Sequence, residues 1–132
     1  MKVLYRLPTP EHGCQGVEVY SNGPDLWLLY KYEDTVRSMA TGAIVFERVL
    51  AFTLAGEPVS EVASQSYDAV VTLGSSAWAE AYLRRLPPIE DASGFQHYAI
   101  YLSNFGGLDV LAKRVKFEER IDRAERLRTL LT

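Results

Sequence analysis

The sequence predicts an α+β fold: a single domain over residues 1–132 with a mainly antiparallel sheet of about six strands, one internal helix and a C-terminal helix. Three observations carry that expectation. Short β-type runs recur, separated by glycine, asparagine and proline turns, which is the pattern of hairpins. Ser75-Ser76-Ala77-Trp78 opens a helix-like stretch that Pro87-Pro88 stops. The tail places Ile121, Ala124, Leu127 and Leu131 at helical spacing.

Taken in order, Val3 to Leu7 reads as a short strand ended by Pro8-Thr9-Pro10, and His12 to Gly16 as a glycine-punctuated loop. Val17-Glu18-Val19-Tyr20 alternates apolar and polar side chains, as a half-buried strand does. Ser21-Asn22-Gly23-Pro24-Asp25 is turn chemistry, and Leu26 to Tyr32 returns as the second arm of a hairpin. Glu33-Asp34 opens a polar segment. Gly42 to Leu54 is the longest β-rich run, and the adjacent charges Glu47-Arg48 interrupt its alternation, which predicts a bulge or bend. Tyr67 to Leu73 is a further strand, broken by Gly74-Ser75-Ser76. The helix from Ser76 to Leu86 follows, with a serine as N-cap and Arg84 and Arg85 at the dipole-favoured end. Gln96–Leu102 and Leu108–Phe117 flank the turn Ser103-Asn104-Phe105-Gly106-Gly107 as a second hairpin. In the tail from Glu118, Glu119 with Arg123 and Asp122 with Arg126 are i,i+4 pairs of the stabilising orientation. Both helices are expected to cover one sheet face, over a core that includes Trp27, Phe46, Phe52, Trp78, Ile100 and Val110.

Composition narrows the function. Hydrophobic residues are 48% and charged residues 23% of 132, values ordinary for one globular domain with a real core. The net charge of −3, from 17 acidic and 14 basic residues, argues against nucleic acid as the main partner, which needs a concentrated basic surface. The lone Cys14 forbids an intramolecular disulfide, and the N-terminus has no apolar signal segment; both predict a cytoplasmic protein. No apolar run approaches the ~20 residues of a membrane-spanning helix. Eight tyrosines suit half-buried sheet faces and protein interfaces alike.

No residue set reads as built for chemistry. His97 is the first candidate general base, with Asp109 across the proposed turn as an orienting carboxylate. The serines considered as its nucleophile, Ser93 and Ser103, sit in no nucleophile elbow. His12 and Cys14 fall short of the three or four ligands of a zinc site, and no basic residue adjoins Cys14 to activate its thiol. Asn104-Phe105-Gly106-Gly107 leads into β-type sequence rather than a helix, so it is a hairpin turn and not a phosphate loop. The neighbouring carboxylates Glu33-Asp34, Glu90-Asp91 and Glu118-Glu119 point apart in any regular element, unlike an acid/base pair. Neither a metal nor a cofactor is expected.

The segment Tyr67-Asp68-Ala69-Val70-Val71, Ser75-Ser76-Ala77-Trp78, His97-Tyr98-Ala99-Ile100-Tyr101-Leu102 and Gly107-Leu108-Asp109-Val110-Leu111-Ala112 resembles small bacterial cytosolic proteins, some of them immunity proteins encoded beside polymorphic toxins. The resemblance covers about a third of the chain, and its positions are mostly structural. It implies a non-enzymatic inhibitor that binds one toxin domain. Tyrosine-rich strands would then supply rigid anchors, and Asp25, Glu33, Asp34, Glu90 and Asp91 would steer a basic partner. Two other readings stay open: a small-ligand or enzymatic domain using His97 and nearby tyrosines, and a homodimeric housekeeping protein joined through a sheet edge or the C-terminal helix.

Overall fold

The apolar alternation of the chain resolves, among the described residues, into seven strands and two helices in a computed structural model. The strands are β1 (Lys2–Arg6), β2 (Gln15–Ser21), β3 (Leu26–Glu33), β4 (Met39–Ala55), β5 (Ala69–Gly74), β6 (Gln96–Leu102) and β7 (Gly106–Glu118); the helices are α1 (Ala77–Leu83) and α2 (Arg123–Leu131). The structure describes residues 1–8, 15–33, 38–55, 68–87, 91–102 and 105–131. His12, Cys14, Asp34, Tyr67, Glu90, Ser103 and Asn104, which the sequence reading singled out, lie outside them.

The strands form one sheet in the order β1-β5-β6-β7-β4-β3-β2, and every neighbouring pair is antiparallel. Both hairpins expected from turn chemistry are present, β2 with β3 and β6 with β7. β4 is the backbone of the sheet. Its first half pairs with β3, from Glu33 opposite Met39 to Leu26 opposite Phe46. β7 runs along its other side, from Ala43 opposite Glu118 to Ala55 opposite Gly107. Between the halves Arg48 adopts φ 57°, and the register shifts between Val49 and Ala51, close to the irregularity that Glu47-Arg48 predicts.

One side of the sheet carries the main core. Leu26, Leu28, Tyr30 and Tyr32 of β3 meet Ile44 and Phe46 of β4, Tyr98, Ile100 and Leu102 of β6, and Leu108, Val110 and Ala112 of β7. Twist curls the sheet around this face: Tyr5 of the edge strand β1 stacks on Phe117 of β7, with two strands between them in the sheet order, at 4.5 Å and 10° between ring planes. The packing is close enough to dictate a glycine. Gly42 stands opposite Tyr30, and a Cβ there would lie 2.3 Å from the buried Tyr30 ring. On the alternate side chains, Leu29, Ala43 and Val45 take Ile121 and Leu127 of the tail, with Trp27 half-buried beside them.

Phe46, Ile100 and Val110 are buried as expected, whereas Phe52 is 42% exposed and Trp78 half-buried. Phe52 lies opposite Val110, on the core side, but β3 ends its pairing at Phe46, so no described strand shields it. The C-terminal helix starts later than the sequence suggests. β7 continues to Glu118, and Asp122 accepts the Glu125 backbone N–H at 3.1 Å to begin α2. The charges of that segment pair differently too: Arg123 grips Glu18 of β2 through both carboxylate oxygens, and Arg126 pairs with Glu118. The i,i+4 pairs give way because β7 and β2 offer carboxylates to which the packed helix is already held.

Candidate functional site

Two features stand out from the structural background. The first is buried. His97 and Asp109, on adjacent strands β6 and β7, are 1% and 0% exposed. Ala99 is the direct partner of Asp109, which makes His97 and Asp109 diagonal neighbours on one face. His97 Nε2 lies 2.6 Å from Asp109 Oδ1, and His97 Nδ1 lies 2.7 Å from Ser76 Oγ. Ser76 is the N-cap of α1, and its Oγ accepts the Ala79 N–H at 3.0 Å. The sequence marks Ser75 or Ser76 as a cap and His97 with Asp109 as a pair, and the structure gives the cap to Ser76. That the cap and the pair join is a tertiary fact no local pattern carries.

The hydrogen-bond roles follow from the donor inventory. With Asp109 ionised, Nε2–H donates to it. In neutral imidazole Nδ1 is then the acceptor, and Ser76 O–H donates to Nδ1. The result is a continuous chain from helix backbone to serine, histidine and carboxylate. Above it, the Trp78 ring lies 4.6 Å from that of His97 and 5.3 Å from Tyr82, whose own ring lies 5.4 Å from the Arg85 guanidinium. Tyr98 takes no part. It alternates with His97, points into the main core against Phe46, and its hydroxyl pKa is raised by burial. His97 and Asp109 therefore do not converge with it. Among the described residues no group of three or more His, Cys, Asp and Glu is placed to hold a metal.

The second feature is exposed. From Leu50 to Ala55, β4 reads Leu-Ala-Phe-Thr-Leu-Ala, without a charge or a proline. Among the described residues β7 is its only strand partner there. The β2–β3 turn closes the start of this open edge: Val49 N–H donates to Pro24 O at 2.7 Å, and Arg48 N–H to Asp25 Oδ1 at 3.2 Å. Beyond that point Phe52 and Leu54 are 42% and 49% exposed, on the side of the sheet that carries the main core. The other sheet edges carry charge: β1 begins at Lys2 and ends at Arg6, and Glu18 sits within β2. Natural edges are usually blunted in that way.

The carboxylates assigned to partner steering are scattered where they are described. Asp25 stands at one end of β3, structurally engaged with Arg48, and Glu33 at the other end, exposed. At ~3.3 Å per residue those ends are roughly 25 Å apart. Asp91 is exposed, and the hydrogen bond from Ser93 holds its pKa below the ordinary aspartate value. No helix is long and apolar enough to cross a membrane among the described residues. Compared with protein-family models, with curated proteins and with solved structures, the chain matches none.

Proposed function

We propose that this chain is a protein-binding domain that takes an extended segment of its partner along the open half of β4. The observation that carries the reading is the uncharged edge Leu50–Ala55, with Phe52 and Leu54 exposed on the half of β4 that pairs on one side only among the described residues. Adding a strand to such an edge gives affinity through main-chain hydrogen bonds and selectivity through alternate side chains. Phe52 and Leu54 would be the anchors, as apolar side chains near the middle of the contact. The resemblance to immunity-type proteins makes a toxin domain encoded beside this chain the first partner to test.

Co-expression with the product of the adjacent gene is the direct experiment. The expected outcome is rescued growth and a co-purifying complex that Phe52→Asp with Leu54→Asp abolishes. Met39→Asp, at an exposed apolar position on the paired half of the same strand, should leave the complex intact. A complex indifferent to Phe52 and Leu54 would overturn the edge as the binding surface.

The Ser76–His97–Asp109 chain favours a second reading, in which Ser76 is the nucleophile of an acyl-transfer enzyme with His97 as its base. Such a hydroxyl should be labelled by an organophosphonate probe. Against this reading, Trp78 covers the imidazole and the Ser76 oxygen already serves the helix cap. We therefore assign the chain the role of fastening α1 to the sheet.

A further inference from the structure

We infer that the open half of β4 also pairs with its own copy, so that the free protein self-associates through the surface the partner would use. This rests on the reading of that edge as a binding surface. The argument is one of symmetry. Two identical antiparallel edges meet about a two-fold axis, and the contact must then be self-complementary. Successive side chains of a strand point to opposite faces, so an axis perpendicular to the sheet must sit at a residue and not between two. With the axis at Thr53, Phe52 faces Leu54 of the second copy and Leu54 faces its Phe52. Ala51 faces Ala55, and Thr53 faces Thr53.

Every pair in that register is compatible. The two apolar pairs fall on the side of the sheet where Val110 and Leu108 stand opposite Phe52 and Leu54, so the main core continues across the junction. The Thr53 pair falls on the other side, and Thr–Thr pairs across strands are stabilising. No charged residue lies between Leu50 and Ala55, so no like charges are brought together. Arg48 is five residues from the axis, which keeps it and its symmetry mate roughly 33 Å apart along the ladder.

Size sets the strength. Phe52 and Leu54 expose 42% and 49% of their surface. Taking roughly 200 Å² for each side chain, two copies bring about 350 Å² of apolar surface together. Even with the ladder backbone added, that is well short of the ~1,200 Å² at which stable interfaces begin. The self-contact is accordingly weak and concentration-dependent, and a partner with further contacts displaces it.

Sedimentation and light scattering of the full chain, from the micromolar range to about 1 mM, test the inference, since a dimer with Kd near 1 mM is substantially populated at that limit. The expected result is a rising dimer fraction that Phe52→Asp removes and Met39→Asp does not. In a Cys14→Ser background, Thr53→Cys should cross-link to its own copy under oxidation, because the axis places the two α-carbons about 4.5–5.5 Å apart, within the range a disulfide spans. Met39→Cys should not cross-link. A chain that stays monomeric throughout and does not cross-link at position 53 overturns the self-pairing and leaves the partner reading standing. A dimer lost in Phe52→Asp, beside a partner complex that survives it, supports the self-pairing and overturns the partner reading.

Discussion

Asp68 shows how much a single residue can be asked to do at a strand start. Its φ of 49° is a left-handed conformation that aspartate and asparagine tolerate better than most side chains. The backbone there joins three elements: its N–H donates to Tyr101 O at 2.9 Å, and its carbonyl accepts from Leu7 N–H at 2.9 Å. The side chain is less well served. Oδ1 is buried without a hydrogen-bond partner among the described residues, and burial raises the carboxyl pKa. A folded-state pKa above the unfolded value means the fold prefers the protonated acid. That contribution is complete below the ordinary value of 3.8 and is lost as pH rises through the raised pKa. At neutral pH the charge is a net cost. Asparagine at this position keeps the tolerance for positive φ and removes the charge. Asp68→Asn should therefore stabilise the protein near neutral pH by about 0.5–1 kcal/mol, a modest gain because the half-buried carboxyl is partly screened by water. Urea unfolding near pH 7 and below pH 3.8 checks this. A gain of equal size at both would show that the buried charge is not its source.

At the scale of elements, α1 is too short to hold itself: seven residues lie well under the length at which an isolated helix is stable. It is held by Ser76, which caps the first turn and ties it to His97, and by Trp78 over the imidazole. Ser76→Ala removes the cap and leaves His97 Nδ1 without its donor. The expected loss is about 1–2 kcal/mol, with a shift in tryptophan emission as Trp78 loosens. If Ser76 were a nucleophile instead, the same substitution would abolish organophosphonate labelling of a protein of unchanged stability. The elements themselves are largely legible from sequence. Turn chemistry at Asn22-Gly23 and Gly106-Gly107 marks both hairpins, whereas α1 ends at Leu83, short of the expected Leu86, so that Arg84 and Arg85 lie beyond its last turn. The start of α2 is not legible, because Glu118-Glu119 looks like an acidic first turn while β4 holds Glu118 in the ladder opposite Ala43. Nor is the exposure of Phe52. Periodicity assigns it a face, but whether that face is covered depends on where β3 stops, a long-range pairing that no local pattern encodes. The link from Ser76 to His97 is hidden for the same reason.

For the whole molecule, the strand order implies an uneven distribution of stability. The first half of β4 lies between β3 and β7, with Ile44 and Phe46 in the main core, whereas Leu50–Ala55 has β7 alone for a strand neighbour among the described residues. Local opening free energy follows buried apolar contact and doubly paired backbone. Amide exchange should therefore be slowest across Leu26–Tyr30, Ala43–Phe46, Tyr98–Leu102 and Leu108–Ala112. It should be distinctly faster between Leu50 and Ala55, even though the two halves belong to one continuous strand. In a strand each residue directs its amide and carbonyl to the same side, alternately toward one neighbour and the other. The faster exchange should accordingly fall on alternate residues, those whose N–H faces away from β7. Occupation of the edge, by a partner strand or by a second copy, would protect those same alternate amides and leave the β7-facing ones unchanged. Residue-resolved hydrogen exchange at low and high protein concentration, and with the co-expressed partner, reads this directly. Uniform protection across Leu50–Ala55 at high dilution would mean that the edge is already covered in the single molecule, and the binding surface would have to be sought elsewhere.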